Sequence, residues 1–286
     1  MSPYPLAIPP SQRDIFFFDL QGFLIIRGAL DAGEVDSCNR VMDALQHLGK
    51  NEWSGHIHGH DYGGREGLNL QQIYESGPAF ERLIDHPSYI ERVRTFVGGH
   101  DTFDYHHGPL FIDECFANIR HAGEAIGMHS GGHQGTVRTQ FQVRDQRFHC
   151  GQVNVLIAHT DIGPGDGATM VVPGSHKANF RHPDLDRFAM AGNQLTSMDG
   201  VENAIEVHLR AGDALLFVDA IIHGSAARVN AGQRRISVYR YGPSWGNFRH
   251  GYRPSAELLE RLSPARRGIV QPLDPVLPPV PALAVT

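Results

Sequence analysis

The sequence has little lysine, little cysteine and no long apolar run. Of its 25 basic residues only Lys50 and Lys177 are lysines, and 31 acidic residues leave a net charge of −6. Binders of nucleic-acid polymers carry a basic footprint, and this chain has none. No apolar stretch approaches the ~20 residues that a membrane span needs. Residues 1–11 are proline-rich and lack the basic-then-apolar build of a signal peptide. Cys38, Cys115 and Cys150 are an odd number at wide spacing without a CxxC pair. They fit reduced thiols better than a disulfide framework or a thiolate zinc site. The expected setting is cytoplasmic, with neither a membrane nor a nucleic-acid polymer as partner and the oligomeric state left open.

What is plentiful is histidine, 18 residues, and glycine, 32. Many histidines raise a metal hypothesis, and arginine as nearly the sole cation suits fixed recognition of anions, although codon bias is the favoured explanation of the arginine excess. Residues 14–30, DIFFFDLQGFLIIRGAL, predict a short helix, a turn at Gly22 and a strand over Phe23–Arg27. A helix over 32–48 follows, capped by Asp31, with Val35, Cys38, Val41, Met42 and Leu45 at helical spacing. The Gly- and His-rich stretch 50–68 reads as a loop. Helical signals return over 78–97, split by Pro87.

From about Phe103 to Trp245 the period shortens to alternating runs such as FANIR, QVNVLIAHTD and RRISVYRYG. Short strands with regular turn signals predict a sandwich or barrel. Residues 255–262 read as a last helix, and the Pro-rich tail from Pro272 as extended. A single domain over 1–286 is expected: a helical part at about 11–100, a β core at about 103–245, and a C-terminal helix and tail at 254–286.

Three strings carry the chemistry: GFLIIRGAL near the start, GPGDGATMVVPGSHK (163–177), and GDALLFVDAIIHGSAARVNAGQRRISVYRYG (212–242). Together they resemble the phytanoyl-CoA dioxygenase-like branch of the Fe(II)/2-oxoglutarate oxygenases, over about residues 14–245. The resemblance implies a mainly β (α+β) fold, a cupin-like jelly roll or double-stranded β-helix with N-terminal helices packed on one sheet. It also implies a site of two histidines and a carboxylate on iron, with positions open for 2-oxoglutarate and O2. His223 fits the distal histidine. Arg234, eleven residues on, fits the residue that binds the far carboxylate of 2-oxoglutarate, with Ser225 beside it. Arg235 is the fallback, because neighbours on a strand face opposite sides.

The first histidine of the pattern is His129, in GMHSGGH, 94 residues before His223. The family would place Asp at position 131, where this chain has Gly131. Three readings compete. The protein is a metal-free, non-catalytic small-molecule-binding jelly roll; or a hydroxylase whose iron is completed by another group; or a halogenase. Glu124, Asp161, Asp219 and His133 are the other candidate groups, though strand rise puts Asp219 roughly 13 Å from His223. Fe(II)/2-oxoglutarate halogenases resemble this pattern, with Ala or Gly in place of the acid so that chloride binds the iron. Iron at +2, 2-oxoglutarate at −2 and chloride at −1 then reproduce the usual charge without a protein anion.

Asn118 is placed to touch 2-oxoglutarate, and Arg120, His133, Gln152, Asn154 and Trp245 to touch substrate. His159 falls on the opposite strand phase, and His176 reads as a loop anchor. His56, His58 and His60 read as a solvated loop. The resemblance extends to halogenases of free nucleotides, which implies a small-molecule substrate such as deoxyadenosine monophosphate, chlorinated on its sugar in nucleoside-antibiotic synthesis. Further arginines (Arg65, Arg138, Arg144, Arg147, Arg249) are candidates for an anionic group, and Tyr62, Phe141, Phe148, Trp245 and Phe248 for stacking a base.

Overall fold

The computed structural model describes residues 7–60, 66–98, 109–189, 197–244 and 253–271. Ser11 caps α1 (Gln12–Gln21) in a reciprocal box with Asp14, and Gly22 ends it at φ 85°, a left-handed conformation that glycine adopts without strain. β1 (Phe23–Ile26) follows at once. Next, α2 (Ala32–Leu45) is capped by Asp31 and buries Val35, Cys38 and Met42, the face expected from its apolar spacing. Pro78 opens α3 (Pro78–Glu81), and Pro87 falls in the break before α4 (Ile90–Val97). Further on lie a single turn, α5 (Leu185–Phe188), and then α6 (Ala256–Arg261), capped by Ser255. A further helix, α7 (Pro264–Val270), follows α6. No helix among the described residues is long and apolar enough to cross a membrane.

The larger sheet has eight antiparallel strands, and its edge is β1. Beside β1 run β11 (Ala214–Val218), β8 (Val153–Ala158), β13 (Arg234–Gly242) and β5 (Phe111–Arg120). The sheet continues through β4 (Leu68–Gln71) and β3 (Ile57–His60) to β2 (Trp53–Ser54). β3 and β2 correct the expectation of a loop over 50–68. Glycines and histidines conceal the alternation there, and the pairing runs through β4, which joins β5, nearly fifty residues on, with Asn69 opposite Asn118. A smaller sheet runs β10 (Ile205–Val207), β9 (Thr169–Val171), β12 (His223–Ser225), widened by a bridge from His223 to His129. β6 (Phe141–Arg144) and β7 (Arg147–Cys150) form a separate hairpin. The two sheets make a jelly roll.

The period-two rule divides the large sheet into two faces. On one, Tyr239 and Tyr241 of β13 donate hydroxyl protons to carbonyls of the helical layer, at Phe80 (2.5 Å) and Ile84 (3.0 Å). His159 bonds Ser237 on that same face (2.8 Å) and packs edge-on against Phe80. The other face carries Arg234, Ile236, Val238 and Arg240 of β13 with Phe116, Asn118 and Arg120 of β5. Those residues line a cavity of about 60 Å3 between the sheets. Both faces are covered, so β8 is buried at every position.

Candidate active site

His129 and His223 stand side by side in that cavity. Their backbones exchange hydrogen bonds of 3.0 and 3.1 Å, and their ring centroids lie 4.1 Å apart. Each imidazole donates its Nδ1 proton to the carbonyl two residues earlier: His129 to Gly127 (2.9 Å) and His223 to Ile221 (2.8 Å). That network assigns the proton to Nδ1 and leaves each Nε2 with a free lone pair, the form a metal requires. Burial pushes His223 down to about 4 despite the carboxylate of Asp219. Burial and the neighbouring His223 hold His129 well below its ordinary value. Both rings are therefore neutral at pH 7 and fit a divalent cation.

No third ligand stands with them: among the described residues no group of three or more His, Cys, Asp or Glu could hold a metal ion. Gly131 is not on a strand, because Ser130 turns the chain at φ 64° and Gly131 itself has φ 130°. A Cβ at 131 would lie 2.6 Å from His133 Nδ1 and 3.1 Å from Ile222 Cγ1, so the position suits glycine in both backbone and space. Of the alternative ligands, Asp161 accepts the Ala211 N–H (2.8 Å) and Glu124 the His121 N–H (2.6 Å). Asp219 and His223 do not share one continuous strand. The chain turns after β11, with Ile221 N–H on Val218 O, and the Asp219 charge raises the pKa of both imidazoles.

At the other end of the cavity lie two buried guanidiniums. Arg234 and Arg120 are directly opposed on β13 and β5. Arg234 donates to Thr169 Oγ1 (3.1 Å) and Asn118 Oδ1 (3.4 Å), and its Nε has no partner. Arg120 donates to Ser225 Oγ (2.8 Å), which also accepts the Ile126 N–H (2.9 Å). Burial, together with Arg120 and Arg228, depresses Arg234, and burial lowers Arg120 to about 10. An anion would relieve this cationic end, which makes it fit a dicarboxylate. Arg235 faces the other way, with Nη2 2.7 Å from Asp43 of α2.

Other expected residues are placed differently. Gln152 and Asn154 are fully buried, Gln152 donating to Asp113 (3.2 Å) and Asn154 to Asp219 (3.1 Å). His133 packs beside Gly131 at the mouth of the loop. His176 bonds the Asp19 carbonyl (3.0 Å), tying its turn to α1. Phe141 and Phe148 join Phe18 in an aromatic cluster, with Phe96 stacked on Phe18 at 3.8 Å, so they serve packing and not base stacking. Arg144 and Arg147 are exposed on the hairpin. Trp245, Tyr62, Phe248, Arg65, Arg249 and the tail from Pro272 lie outside the described residues. Sequence reasoning missed Thr169 and Arg240. Arg240 was findable by counting in twos from Arg234.

A sequence profile of the phytanoyl-CoA dioxygenase family matches residues 18–236. The chain belongs to that family. With it come iron and 2-oxoglutarate as the cofactors of an oxygenase. Dioxygenase cdmD of Talaromyces verruculosus is 20% identical over 265 residues, 87% of this chain and 80% of the fungal protein. HygX from Streptomyces hygroscopicus, solved with nickel and 2-oxoglutarate, superposes with a TM-score of 0.67 at 24% identity, covering 89% of this phytanoyl-CoA dioxygenase-family chain and 95% of HygX. A further HygX structure contains hygromycin B. The carbocyclase SnoK from nogalamycin biosynthesis gives 0.57 at 19% identity, over 95% of this chain and 96% of SnoK.

Proposed function

We propose that this oxygenase is a halogenase that chlorinates an unactivated C–H bond of a small molecule. One observation carries the reading. Two neutral imidazoles are fixed side by side with no third ligating side chain among the described residues, and the third position of the family pattern is Gly131. Iron bound there with 2-oxoglutarate and O2 supplies an oxidant able to break such a bond, and chloride bound beside it supplies the halogen.

The chain's own residues do the rest. His129 and His223 present Nε2, their tautomer held by the Gly127 and Ile221 carbonyls. Arg234 receives the far carboxylate of 2-oxoglutarate as a charge-assisted pair, beside Thr169 and Asn118. Arg120 and Ser225 line the same end. Leu156, Ile236 and Val238 give an apolar wall that excludes water and positions the target carbon. A small-molecule substrate accords with the hygromycin B held by HygX. A nucleotide, deoxyadenosine monophosphate, is the specific candidate, and it rests on the GMHSGGH and PGSHK sequence context alone.

A second reading, hydroxylation, draws on Asp219, whose charge acts on both imidazoles. Anaerobic addition of Fe(II) and 2-oxoglutarate, followed by chloride, separates the possibilities. The halogenase reading expects a visible charge-transfer band that chloride perturbs and that His129→Ala abolishes. A band indifferent to chloride indicates the hydroxylase. Absence of any band leaves a binding protein. With deoxyadenosine monophosphate and O2, a product of chlorine mass is expected. An oxygenated product alone rejects halogenation.

A further inference from the structure

We infer that Arg138 restrains Asp219, holding this buried carboxylate beside the paired histidines but away from the metal position. The inference rests on the halogenase reading and deepens it. Asp219 begins the turn that His223 ends. Its N–H bonds Gln152 O (2.9 Å), the turn closes through Ile221 N–H on Val218 O (3.0 Å), and the Ile221 carbonyl then fixes the His223 ring. Phe217, two residues before Asp219, packs edge-on against that ring at 4.9 Å.

The carboxylate is fully buried, and each oxygen has a donor: Asn154 Nδ2 on Oδ1 at 3.1 Å and Arg138 Nη1 on Oδ2 at 2.5 Å. Its charge nevertheless reaches both imidazoles. A buried anion beside the site would be attracted to a dication held by the two imidazoles, and a paired guanidinium opposes that swing.

Arg138 comes from the loop that also presents Gly131. Gln134 N–H bonds Gly131 O (3.1 Å), the Gln134 carbonyl accepts Thr139 Oγ1 (2.7 Å), and Arg138 sits in the turn Val137–Thr139. One loop therefore does two things: it offers no carboxylate at 131, and it neutralises the one at 219. The third anionic position on the metal is left to an exogenous ion. Arg138 is a positioning residue that acts through Asp219.

Calorimetric titration of the metal-free protein with Co(II), and the Co(II) spectrum with and without chloride, test this without turnover. Arg138→Met is expected to bind Co(II) about tenfold more tightly, the scale on which residues behind metal ligands act. Its spectrum should no longer respond to chloride. Asp219→Asn and the double variant should bind Co(II) as the parent does and keep the chloride response, and Arg138→Lys should behave as the parent. If Arg138→Met does not fold by circular dichroism, Arg138→Gln replaces it with the same expectation. Parent-like affinity and chloride response in the Arg138 variant overturn the restraint. So does a tenfold weakening in Asp219→Asn, which makes Asp219 a ligand already. A parent protein that binds no Co(II), or binds it equally after His129→Ala, fails at the metal site itself and takes the restraint with it.

Discussion

Arg234 of β13 and Arg120 of β5 oppose each other directly across the sheet, and neither forms an ion pair among the described residues. Two buried like charges destabilise the ligand-free fold, and a dianion reverses that. Replacing a buried charge that no anion compensates by an apolar group of similar size removes its desolvation penalty. Arg234→Met should therefore melt at or above the parent temperature in the absence of ligand. It should also lose the rise in melting temperature that 2-oxoglutarate gives the parent, which for a ligand at 100 times its Kd is worth about 2.7 kcal/mol. Calorimetric melts with and without 2-oxoglutarate check both halves.

Arg235→Ala is the matched control. Its guanidinium meets Asp43 at 2.7 Å and Gln233 at 2.6 and 2.8 Å, on the helical side of the sheet. Asp43 is 57% exposed, so the pair is screened and contributes about 0–1 kcal/mol. The 2-oxoglutarate requirement should match the parent's, and a tenfold change would mean that the two arginines had been assigned the wrong way round.

Position 131 separates backbone strain from chemistry. With φ at 130° and His133 Nδ1 2.6 Å from where a Cβ would sit, Gly131→Ala should lose about 1–3 kcal/mol of stability in urea unfolding. It should keep the chloride perturbation of the charge-transfer band. Gly131→Asp should share the loss of stability and also lose the chloride effect. An Asp variant that still responds to chloride would separate position 131 from the halide site.

Burial lowers His159 to about 3, with Arg235 adding to the effect. A histidine whose folded pKa lies below its unfolded value of about 6.5 stays neutral in the fold and charges on unfolding. Its contribution is full above pH 6.5 and is lost as pH falls toward 3, at about 1.4 kcal/mol per unit. His159→Gln, which keeps a donor for Ser237, should flatten the stability slope between pH 6 and 4 by about one proton. Equal slopes in urea titrations would show that His159 is already charged in the fold.

Local chemistry was legible in the sequence. The Asp31 cap, the turn at Gly22 and the strand after it each follow from residues within four positions of one another. The pairing of His129 with His223, and the inward face of Arg234, followed from motif and alternation. The position of Asp219 did not. Arithmetic on a continuous strand put it far from His223, but the chain turns there, anchored by Gln152 just ahead of β8. Strand β3 escaped because glycine and histidine hide its alternation, and the strand it joins, β4, is itself fixed by β5, nearly fifty residues on. The guanidinium of Arg138 gave no signal of its own, since its meaning comes from a carboxylate 81 residues away.

The backbone bridge between His129 and His223 has a consequence for the life of the protein. The proposed ligands, 94 residues apart in sequence, meet only when the jelly roll is closed, so the unfolded chain would offer an ion no comparable grip. A bound ion then works as a staple across that span, where closing a loop of such length costs an unfolded chain on the order of 4 kcal/mol. Cellular proteases sample open chains, and the stapled population opens least. If the site holds iron as proposed, metal supply would set how long each molecule survives as well as whether it can react.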